Sequence, residues 1–263
     1  MSILFLSFKL MLKVKYSNLL YIKYLSLIAF LILIANSCNL ENCYQASGTE
    51  KTEIRQVPNF NEIEINDVFD VYLQQDSINA IKITCGKNLI PQISTIVSDQ
   101  KLSLSNKNIC NWARSFKNRI KVTISFVSID YLLLNGECNI FTKDTLHGNI
   151  IIIDNFSSVS KMQLSLNYDT IHFSLHSGTG DFILNGNTDI AYYYIYGTGY
   201  LFSEELVCSK IFITNGSTGD CYINATNSLF VSIIGNGDIF YKGEPEINFG
   251  EMNSKGRLIK ILD

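Results

Sequence analysis

The sequence predicts an all-β protein: a parallel β-helix, or β-solenoid, of about 19 to 22 residues per coil, preceded by an N-terminal strand-rich part of the same solenoid. Three observations predict it. Gly178-Thr-Gly180-Asp181 returns as Gly197-Thr-Gly199-Tyr200, Gly216-Ser-Thr-Gly219-Asp220, Gly235-Asn-Gly237-Asp238 and Ser254-Lys-Gly256-Arg257, with weaker copies at Ser158–Met162 and Gly136–Ile140. A short alternating strand follows each corner, as in Phe182-Ile-Leu184, Leu201-Phe-Ser203, Cys221-Tyr-Ile223, Ile239-Phe-Tyr241 and Leu258-Ile-Lys260. Ile, Val, Phe, Tyr and Thr are abundant beside 16 glycines and only 3 prolines, a balance that favours strands punctuated by turns.

The chain opens on an address. Lys9, Lys13, Lys15 and Lys23 precede an apolar run, Tyr24 to Ala35, too short to span a bilayer comfortably and matched to a signal-peptide core; Met11 could equally open a shorter signal. It ends at Ala35-Asn36-Ser37-Cys38, which resembles the lipobox of bacterial lipoproteins. That resemblance implies cleavage before Cys38, lipidation of its thiol and an exported protein held on the outer membrane, facing the periplasm or the cell surface. Residues 39–56 are polar and aperiodic and read as a tether, leaving 57–263 as the head.

With 263 residues, 47% of them apolar, the chain can bury a substantial core. A net charge of −3 argues against a nucleic-acid partner. Cys43, Cys85, Cys110, Cys138, Cys208 and Cys221 match no metal-binding or Cys-x-x-Cys spacing and read as free or packed thiols.

Between Val57 and Tyr131 the texture changes. Phe60 to Leu73 gives two short strands, and Ile81–Thr84 and Lys101–Leu104 two more; Asn88 to Ile96 reads as a short helix or turn around Pro91. Trp112, Arg114, Lys117 and Arg119 form a basic, aromatic insertion before the strand 120–126, read as a solvated loop.

Within the repeats, alignment on the first glycine places Phe173, Tyr192, Ile211 and Phe230 in one column. Alignment on the second places Phe182, Leu201, Cys221, Ile239 and Leu258 in another. Stacked coils turn such columns into apolar ladders that no single unit could bury alone. Periodicity does not fix strand direction, so a stack of antiparallel hairpins competes.

On this reading Gly178, Gly180, Gly197, Gly199, Gly216, Gly219, Gly235, Gly237 and Gly256 are structural corners, chosen because glycine reaches positive φ. Calcium β-rolls need a nine-residue period and a ligand in every copy, whereas the Asp column here reads Lys161, Asp181, Tyr200, Asp220, Asp238, Arg257. A phosphate loop would need a following helix and Gly-Lys-Ser/Thr. His172 and His176 share a strand face but lack a third ligand in register, so no metal and no cofactor is expected.

The pattern Phe60-x-x-Ile63-x-Ile65-x-x-Val68-Phe69-Asp70-Val71-x-Leu73-x-Gln75, followed by the Gly-x-Gly-Asp strands, resembles the head-GIN-domain family of auto-transporter adhesins, exported and often lipid-anchored proteins frequent in Bacteroidetes. The resemblance runs over about residues 57–262 and implies a β-helix-like fold and an adhesin-like role, with no catalytic residues. This sequence departs from the family at Asp67, where glycine is usual, and at Tyr200 and Arg257.

The function expected is non-catalytic binding of a glycan or of an envelope or host protein, with membrane contact through the lipid anchor. Tyr193, Tyr200, Tyr222 and Tyr241 are the expected outward ligand contacts. A carbohydrate-active β-helix enzyme and a purely structural envelope scaffold are the alternatives; the scattered Asp residues and the absence of any nucleophile signature place no catalytic site.

Overall fold

The structure is a computed structural model that describes residue 24 and residues 46–108, 119–156 and 161–261. Two compact units divide at Gln45/Ala46. The first holds the expected signal and Cys38, which lie outside the described residues, as do Cys43, Cys110, Trp112, Arg114 and Lys117. The second unit holds seventeen strands: β1 (Glu50–Gln56), β2 (Glu62–Ile65), β3 (Asp70–Gln75), β4 (Ala80–Gly86), β5 (Ile93–Ser98), β6 (Lys101–Asn106), β7 (Lys121–Phe126), β8 (Tyr131–Leu134), β9 (Asn139–Thr142), β10 (Leu146–Asn155), β11 (Lys161–Leu175), β12 (Asp181–Ile195), β13 (Tyr200–Asn215), β14 (Cys221–Ile233), β15 (Ile239–Lys242), β16 (Glu246–Met252) and β17 (Leu258–Lys260). They form a β-solenoid of about six turns.

Each long strand is one coil with two bends. In β13 the buried positions are Leu201 and Ser203, then Leu206 and Cys208, then Ile211, Ile213 and Asn215. Alternation resets twice, at Glu204-Glu205 and at Ser209-Lys210, where two neighbouring side chains both turn outward and the backbone rounds a corner. Three faces result. Register offsets between successive coils run from 17 residues, at Val207 with Asn224, to 22, at Asn139 with Lys161.

On the first face the spatial order is β1-β4-β7-β3-β9-β11-β12-β13-β14-β15-β17, and on the third it is β5-β6-β2-β8-β10-β11-β12-β13-β14-β16. All pairings are parallel except β1 with β4, β4 with β7 and β5 with β6. Antiparallel strands are thus confined to the N-terminal end, where β6 and β7 stack outside β2 and β3 although they follow them in sequence.

The second-glycine column holds: Met162, Phe182, Leu201, Cys221 and Ile239 are buried rung over rung, with Leu258 next. The first-glycine column does not. The ladders are Phe173-Tyr193-Ile213-Val231 inside and His172-Tyr192-Phe212-Phe230 outside. Gly178 lies three residues past Leu175, Gly197 two past Ile195 and Gly216 one past Asn215, so glycine spacing slides against strand register. Every fully buried Leu, Ile or Phe in these ladders contributes about 1.5–3 kcal/mol relative to exposure.

The corners also correct the reason given for the glycines. Gly178, Gly180 and Gly197 have φ of 94°, 149° and 91°, as expected, but Gly199, Gly216, Gly219, Gly235, Gly237 and Gly256 do not take positive φ. These need the missing side chain for room. A Cβ on Gly219 would strike the Gly199 carbonyl oxygen, on Gly237 that of Gly219, and on Gly256 that of Gly237. Stacked backbone leaves no space there.

Two ends of the prism differ. Residues 50–56, expected in the tether, are strand β1, whose core side carries Lys51, Glu53 and Arg55 opposite Cys85, Ile83 and Ile81. Arg55 closes that end: its guanidinium donates to the carbonyls of Ile93 (2.6 Å) and Ile90 (3.1 Å) and to Thr95 Oγ1 (3.1 Å), and pairs with Glu53 at 2.8 Å. Pro91 sits in a 3-10 turn, Ile90–Gln92, that leads into β5. At the other end Phe249 is 64% exposed and Met252 41%.

Candidate functional site

Outward side chains at matching positions stack as the coils do. On the third face His172, Tyr192, Phe212 and Phe230 have ring centroids 4.5, 4.9 and 4.5 Å apart and interplanar angles of 11°, 12° and 6°. The rings spend their faces on one another, so the ladder presents edges to solvent as an apolar ridge. On the first face Phe202, Tyr222 and Phe240 stack likewise, at 5.3 and 4.8 Å, flanked by Ile183 and Ile259, and Tyr72 stacks on Phe141 at 5.6 Å.

Beside the third-face ridge runs the next outward column, Asp154-Ser174-Tyr194-Thr214-Ser232. After Tyr194 this column drops to small side chains, and a recess of about 340 Å³ opens. Tyr192, Phe212 and Phe230 line one flank, Tyr194, Thr214 and Ser232 the other, with Asn248, Phe249 and Gly250 at the last coil. Gly250 preserves the opening, because a Cβ there would meet Ser232 Oγ, which instead accepts from the Glu251 N–H at 3.2 Å. None of the lining residues carries a charge.

Two rungs upstream the same column becomes polar. Asp154 receives Tyr131 Oη at 2.8 Å and lies 3.0 Å from His176 Nε2, whose ring stacks on Phe156 at 4.0 Å. Burial raises the Asp154 pKa, but hydrogen bonds from His176, Tyr131 and Ser174 outweigh it and hold the carboxyl below its usual value. Burial and the same carboxylate push the Tyr131 phenol up to about 12. Burial lowers the His172 pKa, with Asp154 opposing.

Of the expected contacts, Tyr222 lies within the first-face ladder and Tyr200 beside it, 43% exposed. Tyr193 is a correction. It points inward, 2% exposed, with its phenol near Cys208 and Cys221 and its pKa raised by burial. Tyr241 is a second correction: it pairs with buried Ile223 and packs against the core. Both sit one step out of phase with the outward positions. Tyr194 and Phe212 were not singled out by sequence reasoning, and Phe230 was placed in an apolar column with Phe173, although the alternation in Ile211-Phe-Ile-Thr214 carries the signal.

His172 is half-buried and His176 exposed, and among the described residues no group of His, Cys, Asp and Glu could hold a metal. Cys85, Cys138, Cys208 and Cys221 are free and buried. A second recess of about 270 Å³ is polar, with Asn167, Asp169, Asn187 and Asp189 along it. Both carboxylates are exposed, without the dry wall a glycosidase places against its general acid. Arg119, the described end of the basic insertion, pairs with Asp70 at 2.7 Å.

Residues 59–245 match the family model described as "Putative auto-transporter adhesin, head GIN domain". The chain belongs to this family. Solved structures share the fold. A protein from Bacteroides fragilis named "putative adhesin" is 23% identical, with a TM-score of 0.69 over 81% of this chain and 97% of that one. A protein from Parabacteroides distasonis, named as lipid binding, is 20% identical with a TM-score of 0.64 over 82% and 98%. A protein from Parabacteroides merdae, also named "putative adhesin", is 21% identical with a TM-score of 0.54 over 82% and 97%. No curated protein is significantly similar to the chain.

Proposed function

We propose that this head-GIN protein is an exported cell-envelope lipoprotein, anchored through Cys38 to the outer membrane, whose solenoid binds a glycan or a protein without catalysing a reaction. The basic and apolar N-terminal segment supports export, and membership of an adhesin family supports an external partner. The third-face recess carries the reading: it is concave, largely apolar, and edged by a few hydroxyl and amide groups, the ordinary make-up of a binding site. It contains no carboxylate, imidazole, thiol or amine to move a proton, which supports binding over catalysis.

The test is binding of the mature lipoprotein, in detergent, to arrayed glycans and matrix proteins, alongside Phe230→Ala and Tyr194→Ala. Retained binding in both variants, with unchanged melting temperatures, would reject the recess as the site. Glycan hydrolysis lost in Asp169→Asn or Asp189→Asn would favour the enzyme instead.

A further inference from the structure

We infer that the recess takes a neutral sugar, one or two uncharged hexose-sized rings of a glycan; this rests on the binding function proposed above. Strands in a sheet stand about 4.8 Å apart, so the three rungs from Tyr194 through Thr214 and Ser232 to the last coil give the recess a length of roughly 14 Å. A volume of about 340 Å³ over that length suits a small ligand; a protein partner would need a face of about 800 Å².

Lining chemistry selects further among small ligands. An anionic sugar, sulfated or carrying a uronic acid, would enter without a cation to meet it, and desolvating an unpaired charge against Phe212 and Phe230 is costly. The charges nearest along the column and the last strand are carboxylates, Asp154 two rungs above Tyr194 and Glu251 after Gly250, and His176, whose ring centroid lies 6.4 Å from that of Tyr194, is already paired with Asp154 at 3.0 Å. Lys210 stands on the far side of the Phe212 ridge, one outward position before it on β13. A neutral sugar has the complementary surface: C–H groups for the aromatic wall, and hydroxyls for Tyr194, Thr214 and Asn248. Tyr194, half exposed, has Ser174 and Thr214 as its rung neighbours and so stands outside the stacked ladder of Tyr192 and Phe212; its ring meets that of Tyr196 at 4.4 Å with a tilt of 39°, which leaves the flank toward Thr214 open. It is the aromatic residue we assign to the sugar face.

The experiment presents the full mature lipoprotein with three sets of probes: neutral hexose and N-acetylhexosamine oligosaccharides, sulfated or uronic-acid oligosaccharides, and immobilised matrix proteins. Thr214→Leu, which fills the recess, and Tyr194→Ala are run beside it, with melting temperature as the folding control. The expected result is binding of neutral oligosaccharides that varies little between about 0.05 and about 0.5 M NaCl and weakens at least about tenfold in both variants. Binding confined to anionic glycans, or to matrix proteins, and abolished by the variants would overturn the sugar assignment while leaving the recess as the site. Neutral-sugar binding untouched by either variant would reject the recess itself, and no binding of any probe would overturn the inference.

Discussion

Gly237 lies against Gly219 in the coil before it so closely that a Cβ on Gly237 would enter the Gly219 carbonyl oxygen. Backbone cannot yield as a flexible side chain can. Gly237→Ala and Gly219→Ala are therefore expected to destabilise the head by about 1–3 kcal/mol, read as a lowered denaturant midpoint. Equal stability of both variants would show that the coils can part there without cost.

Arg55 ties β1 to the turn and strand at the closed end of the prism. Arg55→Ala removes a charged donor from three acceptors and should cost about 1.5–3 kcal/mol, and Arg55→Lys should restore little because an ammonium cannot span the same fork. Hydrogen exchange should report the loss first in the β1 amides, with the ladders beyond β9 unchanged.

The Asp154 carboxyl has its pKa depressed in the folded state. Its stabilising contribution is present above the ordinary value of 3.8 and is lost as pH falls through the folded value, below 3.8. His172 acts in the same sense from 6.5 downward, since the folded state resists its protonation. Melting temperature should fall between pH 7 and pH 3, and Asp154→Asn should flatten the acidic part of that curve. An Asp154→Asn curve parallel to the parent would remove the pair from the account.

Burial pushes the thiols of Cys85 and Cys208 up to about 11 and that of Cys138 to about 12, and raises Cys221 as well. None should react with a disulfide reagent at pH 8 while the head is folded, and all four should react in denaturant. Fast native labelling at any of them, located by mass spectrometry, would contradict the packing.

If Cys38 is the lipid attachment site, Cys38→Ala should abolish incorporation of labelled palmitate and release the protein from the membrane fraction. Protease treatment of intact cells carrying the parent chain then separates surface from periplasmic exposure of the head.

The repeat was legible wherever one coil follows another in sequence. Phe182, Leu201, Cys221, Ile239 and Leu258 recur at nearly constant spacing, and stacking puts them in one ladder. Corner length was not legible. Because Gly178, Gly197 and Gly216 sit at different distances from their strands, glycine alignment slips the third face by one residue at Tyr192 and by two at Ile211, and in a strand a slip of one residue reverses the side chain. Tyr193 was turned outward by that slip, Phe230 was assigned to an inward column, and Tyr194 and Phe212 went unnoticed. The doubling back of β6 and β7 past β2 and β3 leaves no periodic trace, since spatial neighbours there are not neighbours in sequence.

The parallel stacking of β11 through β14, with its register shifts at the corners, pairs the backbone of every coil only with the one above and the one below. One whole extra coil between β12 and β13 would lengthen the shaft by about 4.8 Å and leave the Arg55 plug and the last rung chemically as they are. Reach is therefore a property this architecture can adjust in fixed increments, by duplication or deletion of a single segment, without redesigning the rest.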